Sequence, residues 1–379
     1  MELDMIGQGQ INRRRMLKIS AGGVAALAAS GTLIPQAALA AGTVRWVSPR
    51  GTIEVLDDYP YWVGQRFGYF GDIETTLEPG PSDATATVKL VDQGQADMGY
   101  PSPGVLTLGL AQGIPLVSVF HMGGSDVFDF AFRKGERPAD LRELEGKTVL
   151  LGSAGWQAIC DPMLHAAGVD ISTINYVAAG WPQWGTALAQ GQGDSALAWA
   201  GLRAQWKGQG LDFDYIIGKD FSELPANSFV IRKGDYDDMA LRPLYTEYLR
   251  AWAKGLEFGR VNPRAATQIV MEQFPGLASQ MTPTVATESM MQLAEVFAGR
   301  WDERGMWGFH LRSSWQKFFD AGMEIGQIQS EINLDDVISN ELVRGANDFS
   351  ASQVADDANG FELSDEFSAV DVEAIAASL

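Results

Sequence analysis

The chain has 379 residues, of which 46% are hydrophobic and 20% are charged. This balance is typical of a globular protein with a sizeable core and excludes a largely disordered chain. The formal net charge is −20, and residues 41–379 carry −22 because the first 40 residues contribute +2. A surface this acidic repels nucleic acid and anionic lipid, so neither is expected as a partner.

Residues 1–40 have the pattern of an export signal. A basic segment with Arg13, Arg14 and Lys18 precedes an apolar Ala/Gly-rich stretch, and Ala38-Leu39-Ala40 forms an A-x-A cleavage site. The basic segment resembles a twin-arginine signal. We therefore expect export by the twin-arginine translocase, cleavage near Ala40, and a periplasmic mature protein.

From residue 43 onward, short apolar runs alternate with helical patterns. Strands are predicted at residues 44–47, 75–78, 96–100, 116–121, 128–133, 148–151, 174–177, 193–199, 215–217 and 229–231. The chain is expected to return to its first sheet at the last two strands, and it reads as mostly helical beyond residue 240. Repeated strand–helix–strand units imply α/β architecture with mostly parallel sheets.

Residues 347–379 hold eight acids and neither Lys nor Arg. Apart from a helical pattern over residues 370–379, they show little periodicity. This composition predicts a mobile acidic tail.

The loop after the strand at 148–151 is a candidate ligand wall. Small residues at 152–155 break the strand, and a helical pattern begins at Trp156. In a parallel sheet, ligands bind at the loops that leave the carboxyl ends of the strands. Trp156 would therefore present an aromatic face to the ligand.

The same argument selects side chains from the other strand ends. The candidates from the first half of the chain are Asp57, Asp58, Tyr59, Ser102 and His121. Those from the second half are Ser153, Gly155, Trp156, Trp181, Trp184 and Trp199. Five of the eleven tryptophans fall within residues 156–206. Such aromatic faces suit a flat heterocycle or an organic cation, and each contact contributes roughly 0.5–2 kcal/mol.

Several of these candidates have a structural alternative. Trp184 could face the core, and Trp199 could cap a strand end. Asp57 and Asp58 are loop acids, for which turn formation or solvation is the common role. His121 is either a core histidine or a donor in the cleft.

Five stretches carry a family resemblance. They read YWVGQRFGYF at 61–70, GQADMGY at 94–100, GIP at 113–115, DLRELEGKTV at 140–149 and ALAQGQGDSALAW at 187–199. In this order, over roughly residues 43–345, they resemble the periplasmic solute-binding proteins of ABC transporters. The branch concerned serves nitrate, sulfonates, taurine and thiamine pyrimidine precursors.

The resemblance implies a type II periplasmic binding fold with two lobes, each a mostly parallel sheet flanked by helices, and a two-strand hinge. Lobe 1 would comprise residues 43–128 plus 226–346, lobe 2 residues 129–225, and residues 347–379 would be an extension. A solute would lie between the lobes and be enclosed by hinge closure. The implied partners are a small-molecule solute, an ABC permease and its ATPase.

The identity of the solute depends on charge. Sulfonate and nitrate sites need basic groups around the anion, but the candidate loops of lobe 2 contain none, and the nearest are Arg50 and Arg203. We therefore expect a nitrogen-containing heterocycle, similar to a thiamine pyrimidine precursor, or an amine. The alternative is an aliphatic sulfonate, taurine or a nitrate-like anion.

Catalysis is the competing class of function. Three histidines and the single Cys160 show no metal-ligand cluster and no Cys/His dyad, and no G-x-S-x-G surrounds Ser153. We expect no enzyme activity, no metal and no cofactor. A pyrimidine-precursor synthase of this fold remains the enzymatic alternative, and ligand sensing for a membrane receptor is a third possibility.

Overall fold

A computed structural model describes residues 42–81 and 85–379, so the predicted export signal at 1–40 lies outside the described residues. The strands are β1 Gly42–Val47, β2 Ile73–Glu78, β3 Met98–Gly99, β4 Leu116–His121, β5 Phe128–Arg133, β6 Thr148–Leu151, β7 Asn175–Ala178, β8 Ser195–Trp199, β9 Phe213–Ile217 and β10 Ser228–Arg232.

Helices connect the strands and fill the C-terminal third. They are α1 Tyr59–Arg66, α2 Ala86–Asp92, α3 Pro103–Ala111, α4 Gln157–Ala166, α5 Trp184–Ala189, α6 Leu202–Gly208, α7 Gly218–Phe221, α8 Lys233–Asp237, α9 Arg242–Val261, α10 Pro263–Gln273, α11 Pro283–Phe297, α12 Trp301–Arg304, α13 Arg312–Glu324, α14 Leu334–Val337, α15 Glu341–Ala346, α16 Ala351–Asn359, α17 Asp365–Ser368 and α18 Val372–Ala376. None of these helices is long and apolar enough to cross a membrane.

The strands form two five-stranded sheets, in the orders β2-β1-β3-β10-β4 and β7-β6-β8-β5-β9. One strand of each sheet is antiparallel to its neighbours, β10 in the first and β5 in the second. The predicted two-lobed α/β fold with mostly parallel sheets is therefore confirmed. One detail of the prediction is wrong: β9 belongs to the second sheet, so the chain returns to the first sheet only at β10.

The sequence of β4 explains why the first sheet is covered on both faces. All six of its residues, LVSVFH, are buried, as expected for a strand with helices on either side. The loop after β3 leads directly into α3, whose first turn is fixed by Ser102 and Pro103. The Ser102 hydroxyl accepts a hydrogen bond from the Val105 backbone N–H at 3.3 Å. This cap places the start of α3 at the carboxyl edge of the sheet.

The chain crosses between the sheets twice, between β4 and β5 and between β9 and β10. Ser222 in the second crossing donates a hydrogen bond to Asp126 in the first, at 2.6 Å. We propose the sequence-based division of the chain, with lobe 1 at residues 43–128 plus 226–346 and lobe 2 at 129–225. The two crossings then form the hinge.

The C-terminal segment is not a mobile tail, and that prediction is wrong. Helices α16, α17 and α18 pack on lobe 1 against α9, α10 and α11. Each short helix buries at least one apolar side chain, and the buried residues of the segment include Val354, Ala358, Phe367, Val370 and Ile375. The acidic composition concealed these apolar positions, whose burial offsets the entropy lost on ordering.

Candidate ligand-binding site

A cavity with a volume of about 70 Å³ lies between the lobes, at the carboxyl ends of several strands. Its walls are mostly apolar, with a small number of polar groups, as is usual for small-molecule sites. The lining residues are Pro49, Arg50, Asp57, Tyr100, Ser102, Val105, Val127, Phe128, Trp156, Ile159, Leu197, Trp199, Asn227, Leu293 and Phe297.

The polar end of the cavity is built by Arg50, Asp57 and Asp58. The Arg50 guanidinium lies 2.6 Å from an Asp58 carboxylate oxygen and 3.5 Å from one of Asp57. Burial opposes the charge of Arg50, but Asp58 and Asp57 outweigh burial and raise its pKa. Asp58 is buried outside the cavity lining, whereas Asp57 lines the cavity. Arg50 is therefore paired most closely with the carboxylate that does not face the cavity.

Backbone contacts fix the loop that carries Arg50. The Gly80 N–H donates to the Arg50 carbonyl at 2.7 Å, and the Arg50 N–H donates to the Ser48 hydroxyl at 3.1 Å. A Cβ at Gly80 would overlap the Ser48 carbonyl oxygen, so glycine is required for this close approach. The loop is thus tied to the end of β2.

The pKa of Asp57 reflects its position at the cavity. Burial raises the pKa of this carboxyl, and Arg50 partly opposes the rise. The indole N–H of Trp199, from the other lobe, also acts to lower it. This N–H is buried and makes no hydrogen bond of normal geometry. Two polar groups from opposite lobes therefore point toward the same end of the cavity.

Trp156 and Trp199 form the aromatic wall contributed by lobe 2. Their rings are perpendicular, with centroids 5.7 Å apart. Behind them, Trp184 is buried in the core of lobe 2 and donates its N–H to the Leu197 carbonyl at 2.8 Å. Trp181 stacks on Trp199 with an interplanar angle of 13°, but it is 38% exposed and does not line the cavity.

The remaining predicted residues have different positions. Ser102 lines the cavity, whereas Ser153 and Gly155 are half-buried beside Trp156 without lining it. Tyr59 is fully buried and stacks on Phe297 with ring centroids 6.2 Å apart, so it supports a lining residue from behind. His121 lies in the core.

His121 is enclosed by other side chains and does not line the cavity. Its ring stacks on His310, with centroids 5.5 Å apart and an interplanar angle of 15°. Burial, together with the nearby charge of Arg304, holds its pKa well below the ordinary value. The imidazole is therefore neutral and enclosed by protein.

Some lining residues were not predicted. Tyr100 lies at the carboxyl end of β3, where the strand-end argument could have found it. Asn227 lies in the second crossing, and Leu293 and Phe297 lie on α11, more than 90 residues beyond the last predicted candidate, Trp199. No local sequence signal marks these positions, because α11 reaches the cavity only through the packing of lobe 1.

Arg203, the second basic candidate, does not reach the cavity. It is buried and lies 2.9 Å from Asp129 in β5. Burial raises the pKa of Asp129 to about 6, and Arg203 opposes that rise. This ion pair belongs to the interior of lobe 2.

One group of side chains has the spacing of a hydrolase triad. The Ser118 hydroxyl lies 2.7 Å from Nε2 of His310, and Nδ1 of His310 lies 2.9 Å from the Asn340 side-chain oxygen. Ser118 and His310 expose no surface, so a substrate cannot reach them. Burial also lowers the pKa of His310 to about 3. Among residues 42–81 and 85–379, no group of three or more His, Cys, Asp or Glu side chains could hold a metal ion.

Two α/β sheets of this strand order, joined by two crossings and enclosing a cavity, define the class of periplasmic-binding-protein folds. Residues 57–266, more than half of the chain, match the family model described as NMT1/THI5 like. The chain belongs to this family. No curated protein sequence matches it significantly.

Solved structures of low sequence identity share the fold. The alkanesulfonate-binding protein SsuA from Xanthomonas axonopodis pv. citri, bound to MOPS, has a TM-score of 0.60 and 12% identity, covering 79% of this chain and 98% of its own. The nitrate-binding protein NrtA from Synechocystis PCC 6803 has a TM-score of 0.59 and 14% identity, covering 83% and 91%. The ligand-binding component of an ABC-type import system from Staphylococcus aureus has a TM-score of 0.57 and 12% identity, covering 81% and 99%.

Proposed function

We propose that the protein is the extracytoplasmic solute-binding component of an ABC importer. It captures a small organic solute between its lobes by hinge closure and delivers it to a membrane permease with its ATPase. The cavity between two lobes and the fold shared with sulfonate- and nitrate-binding proteins support this role. The N-terminal pattern adds a periplasmic location after export by the twin-arginine translocase and cleavage near Ala40.

The solute is a nitrogen-containing heterocycle, similar to a thiamine pyrimidine precursor, or an amine. The observation that carries this proposal is the position of Asp57, a carboxylate that lines an otherwise largely apolar cavity. One guanidinium, Arg50, faces two carboxylates, and its shorter contact is to Asp58. A buried carboxylate that is only loosely paired favours a ligand that brings a positive charge or an N–H donor.

The aromatic residues suit the same ligand. Trp156, Trp199, Tyr100 and Phe297 contribute rings to the lining. A planar heterocycle can stack on such rings, and an ammonium group gains about 0.5–2 kcal/mol over an indole face. The carboxylate and the rings then recognise different parts of one solute.

An anionic solute is the second candidate, because Arg50 also lines the cavity. A sulfonate or nitrate ion would have to compete with Asp57 and Asp58 for this guanidinium. Arg203 offers no help because it is paired with Asp129. The local charge balance therefore favours the cationic solute.

The enzymatic alternative is a pyrimidine-precursor synthase. The described lining residues include one carboxylate and one guanidinium, but no His, Cys or Lys. Those three residue types supply most general bases and nucleophiles. Binding without turnover is therefore the proposed activity.

A thermal-shift screen of residues 41–379 tests the proposal. The panel comprises pyrimidines and thiamine precursors, purines, quaternary amines and taurine-like sulfonates. A solute at a hundred times its dissociation constant should stabilise the protein by about 2.7 kcal/mol, which raises the melting temperature measurably. Chromatography of each mixture checks that the solute is recovered unchanged.

Variants then assign the site. Asp57→Asn and Trp199→Ala should abolish the shift given by a heterocycle or amine, whereas Trp301→Ala, an exposed tryptophan outside the cavity, should retain it. If only sulfonates raise the melting temperature, and the Asp57→Asn variant shows a larger shift with them than the unmodified protein, the anion alternative is correct. Conversion of a pyrimidine precursor would instead support the enzyme.

A further inference from the structure

Helix α11 of lobe 1 packs against α6 of lobe 2 and also contributes to the cavity. Leu293 and Phe297 on α11 line the cavity, whereas the neighbouring Gln292 points toward α6. The Gln292 side-chain oxygen accepts hydrogen bonds from the backbone N–H groups of Gly201, at 3.1 Å, and Ala204, at 3.4 Å. Gln292 is only 5% exposed, so these bonds are buried.

The contact requires a close approach of the two lobes. Gly201 has φ of 88°, a left-handed conformation that favours glycine. A Cβ at this position would lie 2.8 Å from the Leu293 side chain and 3.1 Å from the Ser289 carbonyl oxygen. Gln205 of α6 adds a hydrogen bond to the Ser289 hydroxyl at 3.0 Å. The start of α6 therefore fits closely against one face of α11.

The N–H groups in question belong to a helix start. The first N–H groups of a helix have no acceptor within the helix. Here the acceptor comes from the other lobe, so it is present only when the lobes are closed, and water must replace it when they separate. Without the Gln292 oxygen, the closed arrangement would bury two unsatisfied donors, whereas the open arrangement would be unaffected.

We propose that Gln292 is a positioning residue that latches the two lobes over the cavity without touching the solute. The proposal rests on the proposed solute-binding function and describes how that same site is closed. Lys219, in the second crossing, contributes a further contact to α11 through Glu295 at 2.6 Å.

Pulsed electron-spin distance measurements test the latch. Labels are placed at Glu74→Cys in β2 and Asn175→Cys in β7, both exposed positions on the edge strands farthest from the crossings. The native Cys160 is buried and its pKa is raised well above the ordinary value by burial, so it does not react with the label. The protein is unfolded, freed of solute and refolded before measurement.

The matched variants are Gln292→Leu, which removes the acceptor but keeps the volume, and Gln292→Glu, which keeps an acceptor. The protein with native Gln292 should show a short, closed distance population without added solute. Gln292→Leu should lower the ratio of closed to open molecules about tenfold, the effect expected from leaving buried donors unsatisfied. Gln292→Glu should retain the closed population.

Two results would overturn the latch. One is an entirely open distribution for the protein with native Gln292. The other is a Gln292→Leu variant with a lowered melting temperature but an unchanged distance distribution, which would show that Gln292 only packs α11 within lobe 1. Neither result bears on the thermal-shift screen, so failure of the latch and failure of solute binding are distinguishable.

Discussion

At the scale of single residues, Arg50 shows how one charge can hold a binding site together. It is bound by two acids whose carboxylates are almost entirely buried, at 2.6 Å and 3.5 Å. Removing one partner of such a group leaves an uncompensated charge in the interior. The local geometry therefore makes Arg50 a structural residue as well as a lining residue.

Replacing Arg50 by Met should lower the free energy of unfolding by about 3–5 kcal/mol, because the Asp58 carboxylate stays buried without its cation. Chemical denaturation followed by circular dichroism measures the change. Arg142→Met is the control, since Arg142 pairs with Asp140 in an exposed setting and should leave stability nearly unchanged. Equal stability of the two variants would contradict the structural role of Arg50.

Asp126 makes stability depend on pH. Burial raises the pKa of this hinge carboxyl to about 7, although the Ser222 hydroxyl and the Phe128 N–H oppose the rise. An aspartate in an unfolded chain has a pKa of about 3.9. Between about pH 4 and pH 7 the folded protein thus holds a proton that the unfolded chain has released. Stability contributed by this group is complete at low pH and is lost as pH rises through about 7.

Asp126→Asn should flatten the decline in melting temperature between about pH 4 and pH 7 and should raise the melting temperature at pH 8. Part of the slope should remain, because the pKa of Asp129 is also raised, to about 6. Asp140→Asn is the control: Arg142 lowers the pKa of Asp140 to about 2, outside this window. If the melting temperature of Asp126→Asn fell with pH as steeply as that of the unmodified protein, the Asp126 carboxyl would have to be ionised over the whole pH range measured.

At the scale of secondary-structure elements, closure depends on how near α3 of lobe 1 comes to α4 of lobe 2. A Cβ at Gly104 in α3 would overlap the carbonyl oxygen of Ala158 in α4. Because the obstacle is backbone, it cannot move aside as a flexible side chain could. Gly104 therefore permits the lobes to meet.

Gly104→Ala should keep the lobes apart and weaken solute binding at least tenfold, while α3 itself gains about 0.5–1 kcal/mol from the helix preference of alanine. The solute that gives the largest thermal shift serves as the probe in titration calorimetry. Gly322→Ala is the control, because a methyl group there would meet Ile328 at an ordinary 3.7 Å. Unchanged affinity in Gly104→Ala would show that α3 can shift enough to accommodate the added methyl group while the lobes still close.

The strand-end argument explains how much of the site the sequence could predict. Asp57, Ser102, Trp156 and Trp199 follow or end strands, and all four lie at the cavity. Tyr59 and Trp184 begin helices beside the same loops but turn into the core, since one position along a helix changes the facing direction by about 100°. Such orientations depend on packing that the local sequence does not encode.

At the scale of the whole molecule, the C-terminal segment packs on lobe 1 and covers part of its core. Phe367 of α17 is buried in the lobe 1 core, and Asp357 of α16 accepts a hydrogen bond from the Tyr69 hydroxyl at 2.8 Å. The Asn262 side chain donates to the Ala358 carbonyl at 2.9 Å. The segment is therefore bound to lobe 1 by both apolar and polar contacts.

Phe367→Ala should lower the free energy of unfolding by about 3–5 kcal/mol, the usual loss for truncating a buried phenylalanine. Hydrogen exchange should show lost protection across α16 to α18. Glu366→Ala, at the exposed neighbouring position, should change neither quantity appreciably. Rapid exchange of this segment in the unmodified protein would contradict the packing.

The general architecture could be predicted because the local sequence patterns show strands and helices in alternation. The assignment of β9 to the second sheet could not, since a short apolar strand is compatible with either sheet. The packed C-terminal helices were missed for a related reason. Phe367 and Ile375 are single apolar positions among acids, and they stabilise the segment only because lobe 1 offers an apolar surface that buries them.

Because its tryptophans are unevenly distributed, the intrinsic fluorescence of the protein should report solute binding. Trp156 and Trp199 line the cavity, so a solute that displaces water there changes the polarity around two indoles and with it the colour and yield of their fluorescence. Trp46 and Trp252 are fully buried in lobe 1 and supply a steady background emission. Arrival of the solute can therefore be followed in the unlabelled protein, at the speed of a stopped-flow mixer.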